Sequence, residues 1–207
     1  MNRFAITYHL DGSGWAKAQV QLGGSNLECD ISYFPNDALD DLSGALIELI
    51  MAVGEDCVEV NMDMGTETIR PDNRRSVVWP GEPWAYVWDL EFEPPDTLNV
   101  VVTFHETYPD TDECANHHSL KGSCSFHQFA TAIVAALESL LVSEGLVSYR
   151  TKWMSHEFPM SRLLLLKRFV AECSGQAISQ ELKQKLVASN WELDRENLST
   201  IGVYKSA

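Results

Sequence analysis

The chain has 207 residues, of which 45% are hydrophobic. That is enough for one sizeable core, and it excludes disorder over most of the length. A net charge of −15 argues against binding nucleic acid, whose phosphates an acidic protein repels. No apolar run approaches the roughly 20 residues that span a bilayer. The first residues alternate like a strand and lack the pattern of a secretory signal, so the expected location is cytoplasmic.

Alternation of apolar and polar residues predicts three strands first. Phe4, Ile6, Tyr8 and Leu10 share one face, then Ala16, Ala18, Val20 and Leu22, then Cys29 and Ile31. Gly12-Ser13-Gly14 and Gly23-Gly24 supply the turns, so the strands form an antiparallel meander. Pro35-Asn36-Asp37 stops the sheet and caps a helix with the stripe Leu39, Leu42, Leu46, Leu49 and Ile50. A short strand carrying Val58, Val60 and Met62 follows, and residues 63–76 read as a polar loop. Trp84, Tyr86, Trp88, Leu90 and Phe92 predict a strand, turned by Pro94-Pro95 into a return strand with Leu98, Val100 and Val102.

Residues 105–124 read as one long connection. A second helix is predicted from Ser125, because Ser125 and Gln128 form a capping box, and it closes at Gly145. Two further helices are predicted over 160–173 and 178–191, and residues 198–207 read as frayed. The expected fold is α+β: a curved antiparallel meander of about six strands, two amphipathic helices on one face, and a helical C-terminal extension.

Charge divides the chain in the same place. Residues 1–145 hold 6 Lys and Arg against 24 Asp and Glu, a balance of −18. Residues 146–207 hold 9 against 6, a balance of +3. The expected organisation is an acidic body, 1–145, with the extension 146–207 packed on it or serving as a homo-oligomer contact. The acidic body suits a basic protein partner, although acidity also serves solubility alone.

Candidate sites are few. Five cysteines (Cys29, Cys57, Cys114, Cys124 and Cys173) read as reduced thiols. Cys114/His117 and Cys124/His127 are two pairs at two-residue spacing, the pattern by which thiolate and imidazole bite a zinc ion. The linker between the pairs is shorter than zinc modules use, and a polar loop explains the same residues. His105 and Glu106, with Asp110 and Asp112, offer carboxylates beside a histidine for acid–base work or a partner surface. Trp15, out of phase with its strand, is the expected exposed aromatic, whereas the Trp84–Phe92 row is expected in the core. No hydrolase elbow, phosphate loop, zinc-protease motif or dinucleotide fingerprint occurs, so an enzyme is the less favoured reading.

Several motifs in order carry a resemblance. They are Ile31-Ser32-Tyr33-Phe34, Asp37-Ala38-Leu39 with Asp41-Leu42, Glu82-Pro83-Trp84, Tyr86 with Trp88, Phe129-Ala130 with Ala132-Ile133, and Tyr149, Trp153 and Phe158-Pro159. Over residues 28–166 the chain resembles a family of uncharacterised bacterial cytoplasmic proteins. The resemblance implies no reaction. By analogy at the level of fold, it implies an interaction role, as a regulatory partner or as an immunity protein for a secreted toxin. The Cys/His loop is not part of this pattern. Beside an interaction module stand two alternatives: an enzyme or small-ligand binder with a pocket between sheet and helices, and a metal-stabilised structural protein.

Overall fold

A computed structural model describes residues 2–53, 58–62, 65–69, 72–107, 119–173, 177–188 and 190–201. The fold is α+β with antiparallel sheets, but the strands do not form one meander. β1 (Phe4–Gly12), β2 (Trp15–Leu22) and β3 (Ser25–Ser32) make a three-stranded sheet. β6 (Arg74–Pro80), β7 (Ala85–Glu93), β8 (Thr97–His105) and β9 (Ser119–Ser125) make a four-stranded sheet. β4 (Val58–Met62) and β5 (Gly65–Ile69) pair only with each other.

β5, the start of β6 and most of β9 lie where loops are predicted. β6, RRSVVWP, buries only its last apolar residues, and Val77, Trp79 and Pro80 are too few for alternation to stand out. β9, SLKGSCS, turns Leu120, Gly122 and Cys124 inward against Val102, Val100 and Leu98. Its inner face is small because the other sheet is close: a Cβ on Gly122 would stand 2.9 Å from Leu22 Cδ2.

The two sheets bury their apolar faces against each other. Tyr8 of β1 meets Trp79 edge-on at 6.0 Å, and Trp79 packs on Trp88 at 4.6 Å. Trp79 and Trp88 are fully buried, and each such aromatic contributes on the order of 2–3 kcal/mol. The sides are closed by helices, so the pair of helices does not share one sheet face. α1 (Ala38–Ala52) packs beside β6. α2 (Phe126–Lys152) packs along β1, with Phe129 stacked on Phe4 at 4.1 Å. Both predicted caps form: Asp37 accepts from the Leu39 and Asp40 N–H groups, and Ser125 accepts from the Gln128 N–H.

Gly145 does not end α2 but breaks it, at φ 68°, after which the helix resumes to Lys152. Among the described residues α2 is the one helix long and apolar enough to cross a membrane; here Phe126, Phe129, Ile133, Leu137 and Leu140 lie in the core.

α3 (Met160–Cys173) matches its predicted span. The helix predicted over 178–191 is shorter, α4 (Gln180–Val187) with its cap at Ala188, and after a break a further helix, α5 (Trp191–Ser199), runs into the stretch expected to fray. Arg168 of α3 explains the break. Its buried guanidinium donates to the Leu186 and Ala188 carbonyls at 2.8 and 2.9 Å and to Asp194 at 2.5 Å. The extension's cations also reach back to the body: Arg162 pairs with Asp40, Lys167 with Glu138, and Lys183 with the Met51 carbonyl.

Candidate functional site

Several of the motifs scattered through residues 31–158 meet at one end of the sandwich, where β3 leads into α1, while Phe129 lies against Phe4. Asp37 is central. One carboxylate oxygen caps α1, and the other accepts the Tyr149 hydroxyl at 2.8 Å. Burial raises the Asp37 carboxyl above its usual value, although the Tyr149 and Asp40 hydrogen bonds oppose the shift. Tyr149 packs edge-on against Phe158 at 5.3 Å, and Trp153 packs on Tyr8 at 6.4 Å. His156 Nε2 lies 3.0 Å from the Tyr33 carbonyl.

The turn Gly81-Glu82-Pro83-Trp84 clamps β3 from the other sheet. Trp84 Nε1 donates to the Asp30 carbonyl at 3.0 Å, and the Asp30 N–H donates to the Tyr86 hydroxyl oxygen at 3.3 Å. Ser32 Oγ donates to Glu82 Oε1 at 2.5 Å. Glu82 sits at φ 45°, a conformation that a non-glycine residue keeps only when its neighbours hold it. Gly81 is required, since a Cβ there would fall 1.8 Å from the Trp84 indole nitrogen.

Beside this clamp runs a groove of about 1030 Å3 between α1 and β6. Asp41, Gly44, Ala45 and Glu48 form one wall, and Arg75, Ser76, Val77 and Val78 the other. Phe34, Glu82, Pro83 and Trp84 close one end. Phe34 is 59% exposed at this rim. Arg75 pairs with Glu48 at 2.7 Å and Arg162 with Asp40, while the neutral Asn36 amide donates to Asp41. Asn36 also donates to the Val78 carbonyl at 3.0 Å. The arrangement can hold a polar, extended ligand; the Ser32 hydroxyl bonded to Glu82 beside it is 1% exposed.

The sequence-predicted residues fall in several places. Trp15 is half-buried and lies 6.2 Å from Trp84, so the structure brings together two aromatics that the sequence keeps apart. His105 ends β8 opposite Ala85, one strand away from the groove, and Glu106 follows the strand. Asp110, Asp112, Cys114 and His117 lie outside the described residues. Cys124 faces the core and is fully buried, and burial pushes its thiol up to about 12. His127 turns instead toward α3, its Nε2 3.0 Å from the Val170 carbonyl. Among the described residues no group of three or more His, Cys, Asp or Glu side chains is placed to hold a metal. A pocket between sheet and helices is one expectation, but its place between α1 and β6 is not, because β6 begins in a predicted loop; Glu82-Pro83-Trp84 is the available signal.

The fold and groove define a two-sheet α+β domain with an open cleft at one side. No protein-family model matches the chain, and no curated protein or solved structure matches it.

Proposed function

We propose that this protein is an interaction module whose α1–β6 groove docks a basic protein partner, in a regulatory or immunity role. The observation that supports the reading most is the groove's composition. It is long, open and acidic at its rim, with Phe34 exposed as an apolar anchor beside Trp84. Phe34 touches Tyr33 edge-on at 6.2 Å and leaves the rest of its ring to solvent, and large apolar anchors of this kind dominate binding energy at interfaces. The chain's charge of −15 would speed encounter with a cationic partner and make binding salt-dependent.

A small-ligand site is the second reading. The groove's volume lies at the upper end of the range such ligands occupy, which favours it. The two separate by experiment. Tagged wild-type protein and the Phe34→Asp variant are exposed to native lysate at low salt, and the retained proteins are compared by mass spectrometry. The interaction reading expects a basic protein held by the wild type, released at high salt, and lost in the variant at unchanged melting temperature. Identical retention by both proteins would remove the groove from the interface.

A further inference from the structure

β6 is an outer strand of the four-stranded sheet, and its hydrogen-bonding phase is fixed at both ends. The Gly81 N–H donates to the Trp84 carbonyl at 2.7 Å, and the Phe92 N–H donates to the Asn73 carbonyl at 2.9 Å. In an antiparallel pair the bonding residues alternate, so the odd-numbered residues of β6 bond to β7. Arg74, Ser76 and Val78 therefore turn their backbone N–H and C=O groups away from the sheet.

Side chains cap part of that edge. Asp72 accepts the Arg74 N–H at 2.9 Å, and the Arg75 guanidinium donates to the Arg74 carbonyl at 2.6 Å. Asn36 takes the Val78 carbonyl, and Pro80 has no N–H to offer. Among the described residues four groups are left: the N–H and C=O of Ser76, the N–H of Val78 and the C=O of Pro80. Ser76 is exposed, and both residues line the groove. An edge that is capped on either side but open in the middle differs from one blunted along its whole length.

We infer that this window binds a short extended segment of a basic partner by strand addition. The inference rests on the docking role proposed above and names how the partner binds. The segment's backbone completes the free N–H and C=O of Ser76 and the free N–H of Val78. An added strand lies about 4.8 Å from β6, and its alternate side chains point to opposite faces. Ala45 keeps the α1 wall small at that position, while the Arg162 guanidinium lies over Gly44. Charge selects the occupant. Asp41, Glu48 and Glu82 line the groove, and Asp40 and Asp72 flank it, against Arg74, Arg75 and Arg162. Lysine or arginine at alternate positions of the segment meets this acidic excess.

The test uses the full chain and an acetylated, amidated heptapeptide alternating Lys with Thr and Val. Binding is read by amide hydrogen exchange and by fluorescence titration. Exchange at Ser76 and Val78 should slow about tenfold on peptide binding, with no comparable change elsewhere on β6. Ser76→Pro deletes the outward N–H and leaves the β7 ladder intact, so affinity should fall about tenfold or more at similar melting temperature. N-methylation of the peptide's central residue removes the donor to the Ser76 carbonyl and should weaken binding without altering the protein. If the peptide fails to bind, or protects amides outside residues 74–80, the inference is overturned. If Ser76→Pro and the methylated peptide bind as their parents do while Phe34→Asp does not, strand addition falls and groove docking stands.

Discussion

Asp37 links a helix cap, a buried hydroxyl and the end of the groove, so its removal has a calculable effect. Asp37→Ala deletes the cap of α1, worth about 1 kcal/mol in typical hosts. It also leaves the Tyr149 hydroxyl, buried with its residue 1% exposed, without its acceptor, which costs about 1–3 kcal/mol. Removing a desolvated carboxylate returns part of this, so the expected loss is about 2–3 kcal/mol at neutral pH. Tyr149→Phe alone should cost about 1 kcal/mol. The double variant should cost less than the two singles together, because each single already breaks the shared bond. Urea denaturation followed by tryptophan fluorescence reads all three, provided the slope against denaturant stays constant. An Asp37→Ala variant within about 0.5 kcal/mol of wild type, or strict additivity, would refute the role assigned to this carboxylate.

The same residue sets a pH dependence with a definite sign. Burial raises the Asp37 carboxyl above its unfolded value of 3.8, so the folded state holds the proton more firmly. Its contribution is full below 3.8 and is lost as pH rises through the raised folded value. Wild type should therefore gain stability relative to Asp37→Asn, which keeps a cap, as pH falls from neutral toward 4; a constant difference would contradict this. Gly81→Ala should displace the Trp84 indole, lower the melting temperature and shift the fluorescence spectrum; an unchanged spectrum would place the indole elsewhere. Arg168→Ala removes the bonds that fold α4 and α5 onto α3, so limited proteolysis should cut residues 177–201 much faster than in wild type, with the sheets still protected. Cys29, Cys124 and Cys173 are buried thiols, and burial pushes Cys124 up to about 12, so native protein should resist alkylation at these three positions near pH 8 until urea is added.

Sequence alone determined the elements that carry their own signal. β1 to β3, β7 and β8 follow from alternation, since each buries one face. The starts of α1 and α2 follow from Asp37 and Ser125, whose caps are local hydrogen bonds needing no distant partner. Helix α3 was legible from its apolar spacing to the residue. What the sequence withheld depends on contacts distant along the chain. β6 and β9 are strands because β7 and β8 pair with them, and their own few apolar residues are a weak pattern. One meander became two facing sheets because the inner faces of both halves are apolar and each covers the other. The break before α5 is made by Arg168, whose guanidinium takes carbonyls that a continuous helix would use. The candidate site follows the same rule. Phe34, Glu82 and Trp84 are visible as residues, but the groove and the open window at Ser76 exist only once α1 lies beside β6. Which backbone groups stay unpaired is a property of the assembled sheet.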